Sequence, residues 1–326
     1  MMQTLTVGKR RGLAACATER GVFSILALDH RNNLRNAMNP ANPERVTPQT
    51  MGQFKSRLIR EVAGAGSAAL LDPEYGAEPV ILSDALSGQT GLVMAVEATG
   101  YTGDPTARES AVLEGWSVGK IRRMGASALK LLVYYHPSSD LATRQEELIS
   151  SVAESCRIYD LPFFIEPLSY SLDPQKKLNS AQKRDVVIRT AERLSALDVD
   201  ILKAEFPLDV KEDPDEKIWA EACAEVSQAS RVPWVLLSAG VNYETYLRQV
   251  TVACQNGASG VMAGRAVWKE AVELQGRELE DFLRGQARQR LARLTDVCNA
   301  LGKPWMDFYP PQQTGAENWY KEYTDL

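Results

Sequence analysis

Histidine is nearly absent from this chain. His30 and His136 are the only two, which excludes a three-histidine metal centre and makes a zinc-dependent mechanism hard to build. The five cysteines, Cys16, Cys156, Cys223, Cys254 and Cys298, are odd in number, widely spaced and never arranged as C-x-x-C. Neither a disulfide framework nor a zinc site is indicated, and a reducing compartment is expected. No apolar run is long enough to span a bilayer. The short Leu13-Ala14-Ala15-Cys16-Ala17 stretch after Lys9-Arg10-Arg11 falls short of a signal-peptide core. An excess of positive charge is missing too: 37 basic against 42 acidic side chains leave a net charge of −5, with no broad attraction for nucleic acid or acidic lipid. A soluble, cytoplasmic protein without nucleic-acid or membrane partners is expected.

What is present is an ordinary globular composition, 44% apolar and 24% charged over 326 residues, with a sizeable core. Apolar segments rich in Val, Ile, Leu and Phe recur eight times, over 22–30, 68–76, 91–100, 128–135, 162–170, 200–207, 233–241 and 258–266. Their continuous apolar character suits parallel strands buried on both faces. Helical periodicity falls between them, at 50–66, 105–125, 141–159, 181–197, 214–230 and 243–256, with Ser180 and Asp213 as N-caps and Gly66, Gly125 and Gly257 as stops. Such an unbroken series argues for one (β/α)8 barrel, a TIM barrel, more strongly than for a doubly wound sheet. No linker divides it. We expect a single domain with its barrel core over about 20–270, followed over 271–326 by a helix at 278–300 and a tail holding Trp305, Phe308, Tyr309, Trp319, Tyr320 and Tyr323. Those aromatics suit packing against the barrel or a partner subunit, with an active-site lid as the alternative, and a homo-oligomer is expected.

A barrel places its active site at the C-terminal strand ends, and each segment carries polar groups there. The first ends Leu28-Asp29-His30-Arg31, the second Leu71-Asp72-Pro73-Glu74, the third Val96-Glu97-Ala98-Thr99. Lys130, Glu166 and Lys203 lie inside the fourth, fifth and sixth, while the last two end Ser238-Ala239-Gly240 and Gly264-Arg265. Charged residues in apolar strands must face one another or water. Side-chain alternation allows Asp29, Lys130, Glu166 and Lys203 to converge in the barrel mouth.

That set fits covalent catalysis without metal or organic cofactor. A lysine deprotonated by burial and a nearby cation such as Lys130 attacks a carbonyl to form a Schiff base. Glu166 then shuttles protons and Asp29 serves the hydroxyl of a sugar whose carbon–carbon bond breaks. A structural ion pair closing the barrel end is the plain alternative for Lys203 and Glu166. Gly264 and Arg265 follow the eighth strand, where barrels often hold phosphate, and Arg31 is a candidate second phosphate contact. His30 has the opposite parity to Asp29, between a supporting place and a substrate contact. Asp72 and Glu74 read as a turn more than as a divalent-ion site, and His136 and Arg144 as solvated loop residues more than phosphate ligands.

These runs resemble the class I tagatose 1,6-bisphosphate aldolases and the related sulfofructose phosphate aldolases. The similar stretches are Ala27-Leu28-Asp29-His30-Arg31, Leu71-Asp72-Pro73-Glu74-Tyr75-Gly76, Lys130-Leu131-Leu132-Val133-Tyr134-Tyr135, Phe164-Ile165-Glu166-Pro167-Leu168, Leu202-Lys203, Leu237-Ser238-Ala239-Gly240-Val241 and Gly264-Arg265-Ala266. The resemblance implies that Lys203 forms the imine, that Glu166 and Lys130 assist proton transfer, and that Asp29 orients or deprotonates the scissile hydroxyl. It also implies that Ser238, Gly240, Gly264 and Arg265 hold the phosphate of the dihydroxyacetone phosphate half. The family's first motif more usually reads Asp-Gln-Arg, so His30 marks a departure on the aldehyde side. The expected reaction is cleavage of tagatose 1,6-bisphosphate to dihydroxyacetone phosphate and glyceraldehyde 3-phosphate. Sulfofructose phosphate is the next choice, and loose stereochemical control would also admit fructose 1,6-bisphosphate. A barrel isomerase with Glu166 or Asp29 as base, and a non-catalytic sugar-phosphate sensor, are the competing classes.

Overall fold

The computed structural model describes residues 4–309, 317–321 and 323; the remaining part of the aromatic tail lies outside the described residues. Eight parallel strands close into a barrel in chain order. They are β1 Phe23–Leu28, β2 Ala68–Leu71, β3 Gly91–Ala95, β4 Ala128–Tyr134, β5 Phe163–Leu168, β6 Ile201–Ala204, β7 Trp234–Leu237 and β8 Gly260–Ala263. β1 pairs with both β2 and β8, which completes the ring. Both strand faces are buried, the inner by the opposite wall and the outer by helices, which is why the sequence shows continuous rather than alternating apolar runs. Exposure rises only at Leu132 and Tyr134 of β4 and Leu168 of β5, where inward-facing side chains meet the mouth of the barrel.

The strands are shorter than the apolar segments that announced them. Asp29, Glu97, Glu205 and Ser238 lie just past the last ladder residues, on backbone already turning outward. The helices at Ala142–Ile158, Ser180–Leu194, Glu216–Ala229 and Tyr243–Gln255 fall where periodicity put them, but two caps move. Asn179 and Asp215, rather than Ser180 and Asp213, accept the first-turn N–H bonds. The stretch 105–125 is a larger correction, since only Val118–Arg123 is helical. Residues 96–117 instead form a loop across the barrel mouth, with antiparallel bridges Glu97 to Val112 and Thr102 to Glu109. Gly103 and Gly115, at φ 87° and 73°, turn it in ways that a continuous helix does not permit. The C-terminal helix runs as Gly276–Phe282 and Arg288–Leu301 with a wider turn at Leu283–Ala287 between them.

A helix the periodicity did not reveal, Val7–Cys16, lies against the N-terminal ends of the strands. Its Lys9 ammonium reaches Asp200 at 2.8 Å, and the same carboxylate accepts the Phe163 N–H at 2.8 Å. Tyr309 donates to the Asp200 carbonyl at 2.7 Å. Buried Trp305 and Tyr309 thus pack at the end of the barrel away from the mouth, and Tyr323 bonds Gly8 on that same side. The described tail packs the terminus against the barrel and does not cover the mouth. Among the described residues no helix is long and apolar enough to cross a membrane, and all five cysteines are buried free thiols.

Close approach fixes the seat of Val7–Cys16. A Cβ on Gly12 would stand 2.3 Å from the Ser127 carbonyl oxygen and 2.7 Å from the Pro162 ring. Neither the strand backbone nor the proline can yield cheaply, so Gly12→Ala is expected to lower stability by about 1–3 kcal/mol. Urea denaturation measures this directly, and an unchanged midpoint would show that the helix can move away from the barrel at no cost.

Candidate active site

A cavity of about 510 Å³ opens at the C-terminal strand ends, lined among others by Asp29, Glu97, Glu166, Lys203, Ser238 and Arg265. Strand register explains the convergence. Leu132 pairs with Glu166 across β4 and β5, and Phe164 pairs with Ile201 across β5 and β6. Two residues further along the latter pair, Glu166 stands level with Lys203, and alternation turns both inward.

The four sequence-derived groups meet as one network. Lys203 Nζ lies 2.8 Å from Glu166 Oε1, and the other oxygen of Glu166 lies 2.7 Å from Lys130 Nζ. Lys130, with no exposed surface, also lies 2.7 Å from Asp29 Oδ2 and 2.7 Å from Glu97 Oε1. It hydrogen-bonds Asp29 and Glu97, while Glu166 Oε2 stands within ion-pair distance without an aligned hydrogen bond. The second oxygen of Glu97 accepts the Leu132 N–H at 3.1 Å. Burial alone pushes the Glu166 and Asp29 carboxyls up, but the Lys130 and Lys203 charges outweigh it, leaving Glu166 below the usual range and Asp29 well below it. Burial likewise works against the Lys130 ammonium, and Asp29, Glu166 and Glu97 reverse this and raise its proton affinity well above normal.

Across the mouth, Ser238 Oγ accepts the Gly264 N–H at 3.3 Å. Ala239 and Gly240 follow with φ of 44° and 75°, an unusual pair of left-handed residues. A Cβ on Gly240 would stand 3.1 Å from the Arg265 guanidinium carbon, so glycine there lets the guanidinium lie against bare backbone. The short helix Arg265–Trp268 begins at this point. Arg265 forms no ion pair among the described residues. His30 also lines the cavity. Its ring meets Trp268 edge-on with centroids 5.1 Å apart, and its Nδ1, 3.7 Å from Asp29, is beyond hydrogen-bond reach. Burial, more than its neighbours, lowers the imidazole pKa to about 4, so it is neutral at pH 7.

Other candidates are redirected. Arg31 lines the cavity, but its guanidinium donates to Glu74 at 2.6 Å and to the Glu97 carbonyl at 2.7 Å. It ties the ends of β1, β2 and β3 together, so the candidate second phosphate contact is a guanidinium already paired with a carboxylate. Asp72 is fully buried, pairs with Lys55 and accepts the Tyr75 N–H at 2.8 Å, so the turn reading of Asp72-Pro73-Glu74 holds. His136 is buried against Tyr170, with Nδ1 accepting the Ser138 N–H. It is neither solvated nor in the cavity. Arg144 pairs with Glu109 on the exterior.

Sequence reasoning placed Glu97 at the end of the third strand without giving it a role, and it missed Lys55. Glu97 carried the same signal as Asp29, an ionisable residue closing an apolar strand. Lys55 interrupts the buried stripe Met51, Leu58, Ile59 and Val62 of the helix Pro48–Val62; there it donates to the Leu28 carbonyl at 3.0 Å and so steadies the backbone next to Asp29.

The model of the DeoC/LacD aldolase family matches residues 23–270. The chain belongs to that family. It is 30% identical to a tagatose 1,6-diphosphate aldolase 2 of Streptococcus pyogenes serotype M3, over 94% of this chain and 99% of the relative. It is 30% identical to the tagatose 1,6-diphosphate aldolase of Lactococcus lactis, over 93% of this chain and 99% of the relative. In fold, this family member is similar to an archaeal fructose 1,6-bisphosphate aldolase, with a TM-score of 0.58 at 20% identity over 88% of this chain and 99% of the other. It is also similar to a Plasmodium falciparum fructose-bisphosphate aldolase, with a TM-score of 0.73 at 14% identity over 92% and 98% of the two chains.

The Lys130 network makes a pH-dependent prediction. Lys130→Met leaves buried carboxylates uncompensated and is expected to cost about 3–5 kcal/mol at pH 7. In the native protein the depressed carboxyls contribute stability that is present above the ordinary carboxylate range and lost as pH falls through their folded values. In the variant, burial dominates and raises those pKa values, so its stability increases as pH falls from 7 to 5. Urea titrations at both pH values are expected to show the gap narrowing; an equal gap would mean that Lys130 does not carry the carboxylates' charge.

Proposed function

We propose that this protein is a class I aldolase that cleaves tagatose 1,6-bisphosphate to dihydroxyacetone phosphate and glyceraldehyde 3-phosphate. The observation that carries the reading is the Lys203 amine, buried in the floor of the cavity with a carboxylate oxygen 2.8 Å away. The names of the curated relatives support the choice of sugar.

In the proposed course, Glu166 takes a proton from Lys203, whose nitrogen then adds to the ketone carbon C2. The carbinolamine loses its hydroxyl as water with a proton returned by Glu166, leaving a protonated imine. Asp29 takes the proton of the C4 hydroxyl as the C3–C4 bond breaks. The bonding pair moves into the imine, giving an enamine on Lys203 and a free aldehyde. The charge on the lysine nitrogen disappears in that step, removing one of the cations that depress the Asp29 carboxyl, so its proton affinity rises as the proton arrives. Protonation of the enamine at C3 and hydrolysis of the imine release dihydroxyacetone phosphate and restore the amine. Lys130, a cation held between carboxylates, orients Asp29 and Glu166 rather than carrying protons.

Arg265 supplies a forked donor for the phosphate next to the ketone, with Ser238 and Gly264 in the cavity wall beside it and Gly240 against its guanidinium, and His30 meets substrate as a neutral ring. Sulfofructose phosphate, yielding sulfolactaldehyde, is the second substrate on the same chemistry. Self-association belongs to this reading, with exposed Trp319 and Tyr320 offering apolar surface, as does a cytoplasmic location.

Borohydride reduction in the presence of dihydroxyacetone phosphate is expected to leave a permanent mass increase on Lys203. Lys203→Met is expected to remove both the adduct and measurable turnover while the fold persists, because an elongated apolar stem still fills the site. Turnover is expected to survive EDTA. Near-normal cleavage by the variant, or reversible binding without an adduct, would overturn the reading in favour of an isomerase or a sensor.

A further inference from the structure

We propose that His30 reads the C3 hydroxyl of the substrate, its Nε2 accepting that hydrogen bond, and so selects dihydroxyacetone phosphate over a ketone phosphate lacking the hydroxyl; this rests on the aldolase reading above. With the phosphate at Arg265, C2 bonded to Lys203 and the C4 hydroxyl at Asp29, the polar group of the sugar left between these points is the hydroxyl on C3. His30 lies among the same residues. It follows Asp29 in the chain, lines the cavity with Lys203 and Arg265, and its ring stands in the field of all three charges.

Packing fixes the ring on the ketone half of the cavity. Its Cε1–Nε2 edge lies against Gly264, where a Cβ would stand 3.0 Å from Cε1 and 3.6 Å from Nε2. Trp268 meets the ring edge-on, and the Trp268 indole N–H donates in turn to the Ala27 carbonyl at 3.1 Å. The imidazole is thus seated on the wall that carries Arg265, and the departure from Asp-Gln-Arg bears on the ketone half rather than the aldehyde side.

The two ring nitrogens differ. Nδ1 is sealed from solvent and bonds nothing, whereas Nε2 is neither sealed in this way nor bonded to protein among the described residues. The imidazole is neutral at pH 7, so one nitrogen carries a hydrogen and the other a lone pair. Nδ1 faces Asp29 Oδ1 at 3.7 Å, and that negative charge favours an N–H and repels a lone pair. Nε2 is left as the acceptor on the open side of the ring. A lone pair repels a phosphate oxygen and suits a hydroxyl. Being uncharged, it takes nothing from the attraction of Arg265 for phosphate, as a carboxylate in its place would.

The test compares dihydroxyacetone phosphate with hydroxyacetone phosphate, which keeps the phosphate and the ketone and lacks only the hydroxyl on the carbon that becomes C3. The concentration dependence of borohydride trapping at Lys203 reads each affinity in the wild type, His30→Phe and His30→Gln. The wild type is expected to prefer dihydroxyacetone phosphate by about 3- to 10-fold. His30→Phe keeps a ring against Trp268 and is expected to erase that preference while hydroxyacetone phosphate is trapped as before; His30→Gln recovers part of it through its amide oxygen. An unchanged preference in His30→Phe overturns the assignment. So does a wild type that traps both ketones alike, or an equal loss on both, which marks a phosphate contact or a purely structural ring. If the wild type traps neither ketone, the aldolase reading itself fails, whereas trapping with a preference indifferent to His30 removes only this role.

Discussion

The arrangement depends on one ammonium group placed among three carboxylates. Lys130 draws Asp29, Glu97 and Glu166 into the barrel core; its charge offsets the burial that pushes the Asp29 and Glu166 carboxyls up, and the three carboxylates in turn raise its own proton affinity. Desolvation makes such a cluster costly, and good geometry on every partner is what offsets it. Here the geometry comes from four strands at once, since the cluster draws on β4 and β5 and on the ends of β1 and β3. Closure of the barrel and ionisation of the site are therefore parts of one condition.

Around that cluster, polar contacts without any direct chemistry set the positions of groups that have it. Lys55 and Asp72 steady the end of β1, and Arg31 binds the ends of β1, β2 and β3 through Glu74 and the Glu97 carbonyl. Rigid support of this kind matters because misplacement of a reacting group by an ångström is costly to catalysis. At the other end of the barrel, Lys9 of the first helix and Tyr309 meet at Asp200, so the chemistry and this junction of early and late segments occupy opposite faces.

Much of this was legible because parallel strands leave a strong trace. Buried on both faces, they appear as apolar runs, and Lys130, Glu166 and Lys203 stood out against that background. The runs overstated strand length, since an apolar or polar residue just past the ladder looks like one within it. Helix reading failed at 105–125, where short-range periodicity runs from Pro105 through Gly115 although the backbone there is committed to a hairpin-like loop. Arg31 and Glu97 show another limit. Sequence reveals that a residue is ionisable and near the mouth, but whether a neighbour from another strand consumes it depends on register: Arg31, read as a phosphate contact, is held by Glu74 and the Glu97 carbonyl, and Glu97, given no role, pairs with Lys130. Lys55 was visible as an interruption in an apolar stripe, yet its partner Asp72 lies on a different element.

The 96–117 loop has a consequence for diversification of the scaffold. It enters and leaves through the Glu97–Val112 bridge, and between those two residues it holds its shape through its own backbone ladder and bonds the strand floor through Ser110. The excursion beyond the Glu97–Val112 bridge is so nearly self-contained that its length or charge can change, and with it the aldehyde accepted, while Glu97 and the imine-forming floor stay in place.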